Sequence, residues 1–178
     1  DVTRISNSLK KSGYYFSEVD LIIENKENNT VNLTYNIILN EKALIKQIQF
    51  IGDKVYKNRK LRRVIVSEEE KPWKFITSKK YLNEERIKLD ERLLRNFYIN
   101  KGYYQVEVSN TYAKYLDDNS FVVTYSINAG NKFKFNNTKI VIPVEYEKSK
   151  FDKVIKKLND LKGETYSYNK IEKILEKI

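Results

Sequence analysis

Histidine, cysteine and methionine are all missing from the 178 residues, and glycine (5), proline (2) and tryptophan (1) are scarce. Without Cys there is no disulfide framework, thiolate metal site or Cys nucleophile, and without His most nucleophile-base pairs are lost as well. The acids that remain do not converge. EEE at 68–70 and Asp117-Asp118 fall in polar stretches between patterned segments, where adjacent carboxylates read as solvated surface and not as an ion cage. The few glycines form neither a P-loop nor a dinucleotide fingerprint. The expectation is therefore a non-enzyme with no cofactor and no metal. No run approaches the roughly 18 apolar residues that a membrane helix needs, and the N-terminus lacks a secretory signal pattern. Lacking Met, the sequence is expected to be a processed product or a piece of something longer.

What is abundant is positive charge and tyrosine. The net charge is +10, and 14 of the residues are Tyr. Residues 1–41 hold 4 basic and 6 acidic side chains, 42–128 hold 18 and 11, and 129–178 hold 12 and 7, so the excess lies in the middle and C-terminal parts. It would suit an anionic surface, an acidic partner or plain solubility. Its densest cluster is Lys57, Arg59, Lys60, Arg62 and Arg63. The simpler reading is the wet face of a short helix that buries Leu61, Val64 and Ile65; the functional one is contact with anionic lipid headgroups or an acidic partner.

A repeat organises the chain. KSGYY at 11–15 returns as NKGYY at 100–104, and beyond it TYNI at 34–37 answers TYSI at 124–127. In the first copy Val31, Leu33, Tyr35, Ile37 and Leu39 alternate with mostly polar residues after a polar turn; in the second Phe121, Val123, Tyr125 and Ile127 do so. Both read as strand, turn and half-buried strand. Before the second Gly-Tyr-Tyr, residues 81–102 carry Ile87, Leu94 and Phe97 at helical spacing, with Asn83 as N-cap and Gly102 as stop. Residues 5–13 read as the last turns of an equivalent helix. Upstream of the complete helix, 43–52 reads as a strand with Ile48 and Phe50 on one face, and 53–66 as a short helix. After the second hairpin the series restarts: a strand at 133–142, a break at Pro143, a helix at 149–163, and a further one at 169–178 with Ile171, Ile174 and Ile178 as its stripe.

The unit is thus strand, helix, helix, strand, strand over about ninety residues. The expected division is the C-terminal half of one unit at 1–41, a complete unit at 42–128 and the N-terminal half of a third at 129–178. The expected fold class is α+β, each unit a three-stranded mixed sheet covered by two helices. Two incomplete units bury too little alone, so two chains are expected to complement each other head to tail in a composite unit.

IQFIG at 48–52 and FYINKGY at 97–103, in this β-α-α-β-β order, resemble the POTRA domain, with Ile48, Phe50, Gly52, Phe97, Tyr98, Gly102 and Tyr103 carrying the pattern. EEKPW at 69–73 resembles an acidic Pro-Trp insertion of the third such repeat in outer-membrane β-barrel assembly factors. IPVE at 142–145 departs from the pattern, which usually has Gly after the first strand. The resemblance implies a periplasmic scaffold that binds unfolded outer-membrane β-barrel proteins by strand addition and docks accessory lipoproteins. POTRA modules of related secretion or autotransporter-assembly factors are the alternative. For the accepting edge we expect Gln105, Val106, Glu107, Val108, Ser109, Asn110, Thr111 and Tyr112. The Tyr pairs at 14–15 and 103–104 are expected to place one ring in the core and to shield an edge with the other. A single-stranded nucleic-acid binder is disfavoured, because the inter-helix linker is acidic where a KH domain needs its G-x-x-G clamp and the RRM signature is missing.

Overall fold

The computed structural model describes residues 1–73, 77–116 and 119–176. The linker residues 74–76, the Asp117-Asp118 pair and Ile178, expected in the last helical stripe, lie outside the described residues.

At the centre stands a three-stranded sheet in the order β3-β5-β4, from β3 (Leu44–Ile51), β4 (Glu107–Leu116) and β5 (Ser120–Asn128). β3 runs parallel to β5, while β4 and β5 form an antiparallel hairpin. The alternation seen in the sequence is the burial pattern. Ile45, Ile48 and Phe50 of β3 and Val123, Tyr125 and Ile127 of β5 turn to one face and are almost fully buried. Against that face lies α3 (Glu84–Ile99), whose Ile87, Leu94 and Tyr98 complete the core. Asn83 caps α3 by accepting from the Arg86 N–H at 2.8 Å, which satisfies one of the donors left over at a helix start.

The first helix of this unit is much shorter than its pattern suggests. Only Asn58–Leu61 are α-helical (α2), and the chain then leaves in turns that still bury Leu61 and Ile65. The physical reason sits at Asp90. This acid on α3 is fully buried, and its carboxylate accepts from the Val66 N–H (2.6 Å), the Ser67 N–H (3.2 Å) and the Tyr125 hydroxyl (2.9 Å). Drawn onto that carboxylate, the Val66 and Ser67 amides are unavailable to a helix.

On the N-terminal side α1 (Val2–Lys11) leads into the hairpin of β1 (Glu18–Lys26) and β2 (Thr30–Ile38). α1 lies beside this two-stranded sheet, its Asp1, Arg4, Ile5 and Ser8 gathered near Tyr35, yet Ile22, Ile23, Val31, Leu33, Ile37 and Ile38 stay exposed. On the C-terminal side α4 (Asp152–Asn159) and α5 (Tyr168–Leu175) close over a small second core of Phe135, Val154, Leu158 and Leu161. The strand expected at 133–142 is not formed; only a single bridge joins Lys134 to Thr165. In the central unit the corresponding β3 pairs with β5, whereas among the described residues no strand of the third unit lies beside 133–142. Where the pattern lacks its Gly, Pro143 begins a turn closed by the Tyr146 N–H on its carbonyl (3.1 Å).

The two junctions between units are built alike. The carbonyl of Gly13, after α1, accepts the Ala43 N–H at 2.9 Å, and the Ala43 carbonyl accepts from Leu82 at 2.9 Å. One repeat later the carbonyl of Gly102, after α3, accepts the Phe133 N–H at 2.7 Å, and the Phe133 carbonyl accepts from Tyr166 at 3.1 Å. Helix starts join in: the Asn83 amide donates to the Lys11 carbonyl, and the Asn100 side-chain oxygen accepts from the Ser167 hydroxyl (2.9 Å) and the Asn169 N–H (2.8 Å). The Gly-Tyr-Tyr corners are part of this. Tyr103 packs edge-on against Tyr98 and Tyr56 in its own unit, whereas Tyr104 packs against Phe133 and Tyr166 of the next. Likewise Tyr15 meets Phe121 of the following unit. The second ring of each pair is a coupling between units and not an edge shield.

Burial raises the hydroxyls of Tyr15, Tyr98 and Tyr125 above the ordinary tyrosine range, with Glu84, Tyr56 and Asp90 respectively adding repulsion of the tyrosinate. The unfolded chain loses these protons near pH 10 and the folded chain only above that, so the folded state holds more protons there. The stability they confer is intact below about pH 10 and falls as pH rises through the folded values. In an alkaline titration, tyrosinate absorbance and loss of the circular dichroism signal are expected to rise together for these rings. Their ionisation well before unfolding would show that water reaches them.

Candidate functional site: the two edges of the central sheet

With β5 in the middle, the sheet has two outer edges, and they differ. On the β3 side partners are in place at Ala43, just before the strand, and at Ile45, Ile48 and Phe50. The Ala43 carbonyl accepts from Leu82 (2.9 Å), the Ile45 carbonyl from the Glu70 N–H (2.8 Å) and the Phe50 carbonyl from the Lys54 ammonium (2.8 Å). At Ile48 side chains do the work of a neighbouring strand. Its N–H donates to Glu69 Oε1 at 2.9 Å and its carbonyl accepts from Arg62 Nη2 at 2.8 Å, while Arg62 and Glu69 hold each other through both carboxylate oxygens at 2.8 Å. The acidic run at 68–70 is therefore not merely solvated surface: its middle member seals an edge.

Ile48 also fixes the phase of the whole sheet. Because its N–H and C=O face away from β5, the alternate residues Gln47 and Gln49 bond inward, to groups of Val123 and the residues beside it in phase. Val122, Thr124 and Ser126 then turn their main-chain groups to β4. Their partners include Thr111 and Ser109, which leaves the N–H and C=O of Val108 and Asn110 directed outward. The Val106 N–H shares this outer phase and bonds not to β5 but to the Tyr103 carbonyl at 3.2 Å.

The expected edge segment is thus trimmed. Gln105 lies in the turn after Tyr103, and Val106, almost fully buried, precedes the strand; β4 begins at Glu107. Val108 packs on the core while Glu107 and Ser109 are exposed. A bulge between Thr111 and Ala113, with Tyr112 inside it, interrupts the pairing, which resumes from Ala113 to Leu116, and a bulge of this kind limits how far an added strand can run. The stretch of regular pairing before the bulge is Glu107–Thr111.

The basic cluster divides. Arg62 belongs to the β3 edge. Lys57, Arg59, Lys60 and Arg63 instead line an open cavity of about 600 Å³ with Val55 and Tyr56, and no carboxylate pairs with these four among the described residues. Lys60 stands over the Tyr56 ring at 4.5 Å and the Phe97 ring at 5.5 Å. With α2 only four residues long, these cations fan around a turn and do not form one face of a helix. Among the motif residues Ile48, Phe50 and Tyr98 are core; Phe97 and Tyr103 pack against it; Gly52 and Gly102 sit at turns with φ of 84° and 99°. Sequence reasoning missed Glu69 and Asp90. An acid on the apolar stripe, three residues after Ile87 and four before Leu94, was the visible signal for Asp90.

This order of strands, with two helices on one face, is the architecture of a small class of modular α+β domains. Residues 43–130 match the family model for POTRA, described as the surface antigen variable number repeat, and this segment belongs to that family. The chain is similar to the outer membrane protein assembly factor BamA of Neorickettsia risticii, 27% identical over 149 residues that cover 79% of this chain and 20% of that protein. It is also similar to BamA of Neisseria meningitidis serogroup B, 26% identical over 113 residues covering 63% of this chain and 14% of that protein. It spans about a fifth of the length of the first of these relatives. In fold it resembles the crystal structure of POTRA domains 3–5 of BamA from Haemophilus influenzae, with a TM-score of 0.61 at 14% identity, covering 99% of this chain and 67% of that one.

Proposed function

We propose that the chain is a periplasmic scaffold module of an outer-membrane protein assembly machine and that it receives unfolded β-barrel clients by strand addition to β4. One observation carries the reading: of the two edges of the central sheet, β3 has its outward groups occupied at Ile45, Ile48 and the Phe50 carbonyl, while β4 turns the main-chain groups of Val108 and Asn110 outward. An extended peptide laid along Glu107–Thr111 gains main-chain hydrogen bonds whatever its side chains, which suits a receiver of many clients. The similarity to BamA proteins, named as outer membrane protein assembly factors, supports the same role. Docking of accessory lipoproteins falls to surfaces other than this edge, and the cationic cavity beside Tyr56 offers one for an acidic partner or an anionic membrane surface.

The test is NMR titration of the whole chain with a synthetic peptide copying one outer-membrane β-strand. Shifts are expected at Glu107–Thr111. The Val108→Pro chain is expected to lose at least about tenfold in peptide affinity, since the outward N–H goes while the inward ladder to β5 stays. Unchanged binding by that variant, or shifts confined to other surfaces, would remove β4 as the receiving edge.

A further inference from the structure

The closure of β3 has the chemistry of a strand and not of a cover. In a paired edge each outward residue gives one N–H and takes one N–H through its carbonyl. At Ile48 the Glu69 carboxylate supplies the acceptor and the Arg62 guanidinium the donor, at 2.9 and 2.8 Å, and the next residue, Glu70, gives its N–H to the Ile45 carbonyl at 2.8 Å. Beneath the seal the strand is regular from Gln47 to Ile51 and in register with β5. Beside it a cavity of about 170 Å³ is lined by Ile48, Arg62, Ser67, Glu68, Glu69 and Lys71. The seal at Ile48 is local: it consists of two side chains, Arg62 just after α2 and Glu69 of the inter-helix linker, and among the described residues no strand pairs with Ile48 on this side.

We propose that the outer edge of β3 is a second strand-acceptor surface for extended peptide, held closed by the Arg62–Glu69 pair. The inference rests on the strand-addition reading of this fold. Peptide reaches Ile48 only when the pair lets go, because both contend for the same N–H and C=O, and the Glu70 N–H on the Ile45 carbonyl is carried by the residue next to Glu69. The pair thus confines clients to β4 in the closed state and makes β3 available in the open one. Glu69 is the more buried partner, with side-chain exposure of 15% against 39% for Arg62, so its removal frees the edge most directly.

The experiment compares the whole wild-type chain with the Glu69→Ala and Arg62→Ala/Glu69→Ala chains, by amide exchange and by titration with the same β-strand peptide. Exchange at the Ile48 amide is expected to rise roughly tenfold or more in the variants as its acceptor is lost. With peptide, the wild type is expected to shift at Glu107–Thr111 alone and the variants at Ile45–Phe50 as well. If the double variant does not fold, Glu69→Ala alone carries the comparison, since it removes the acceptor of the Ile48 N–H. Wild-type shifts at Ile48 would overturn the inference, because the edge would not be closed. So would variants whose Ile48 amide opens without any shift along β3, and in that case shifts at β4 in the same spectra would leave the proposed function standing. Silence at β4 with new shifts at β3 in the variants would sink the proposed client edge and support the second surface.

Discussion

Asp90→Ala is expected to destabilise the central unit by about 3–5 kcal/mol, enough to threaten a domain of ordinary stability. The methyl group leaves the Val66 and Ser67 N–H groups and the Tyr125 hydroxyl without the acceptor that all three share. Each is buried or nearly so, so water does not replace the carboxylate without opening the core. Asp90→Asn keeps one acceptor oxygen and is expected to cost less than half as much. Urea denaturation of the three chains checks both values. A loss below about 1 kcal/mol for the alanine chain would mean that the linker after α2 finds other partners and that Asp90 does not hold it.

Gly52→Ala is expected to cost about 2–5 kcal/mol, from two sources that act at one atom. The residue has φ of 84°, where a side chain is strained, and a Cβ built there would stand 2.4 Å from the Ile127 carbonyl oxygen. That oxygen belongs to β5, the strand shared by both edges, so the clash moves backbone and not a flexible side chain. Both the thermal midpoint and the amide exchange of β5 are expected to report it. Gly163→Ala is the control: it has φ of 81° with nothing within 4 Å of its Cβ, so it carries the strain without the collision. Equal losses at the two glycines would show that conformation alone, and not the approach to Ile127, dictates glycine after β3.

The strands and the long helix were legible because their side chains obey one periodicity. In β5, Val123, Tyr125 and Ile127 are core while the residues between them are more open, and in α3 the stripe of Ile87, Leu94 and Tyr98 is buried. Local pattern failed where long-range bonds decide. The residues after α2 read as helix because Leu61, Val64 and Ile65 have helical spacing, but their continuation is claimed by a carboxylate 23 and 24 residues away. The stretch 133–142 reads as a strand from its alternation, yet a strand exists only with a partner. The run EEE reads as wet surface because nothing in its neighbourhood shows that Ile48, 21 residues earlier, needs an acceptor. The candidate edge was legible as an element and not in its phase: which of Val108 and Ser109 turns outward follows from Ile48, on the far strand.

The way the units are joined bears on how they unfold. Helix ends leave carbonyls without partners, and here the glycine carbonyl after α1 and the one after α3 find theirs in the first residues of the next unit. A unit cut at its own borders loses a bond at each end and leaves Asn83 or Asn100 with a neighbour missing. Melting is therefore expected to spread from unit to unit, each transition lowering the barrier for the one beside it, as in a row of coupled spins rather than a set of independent beads.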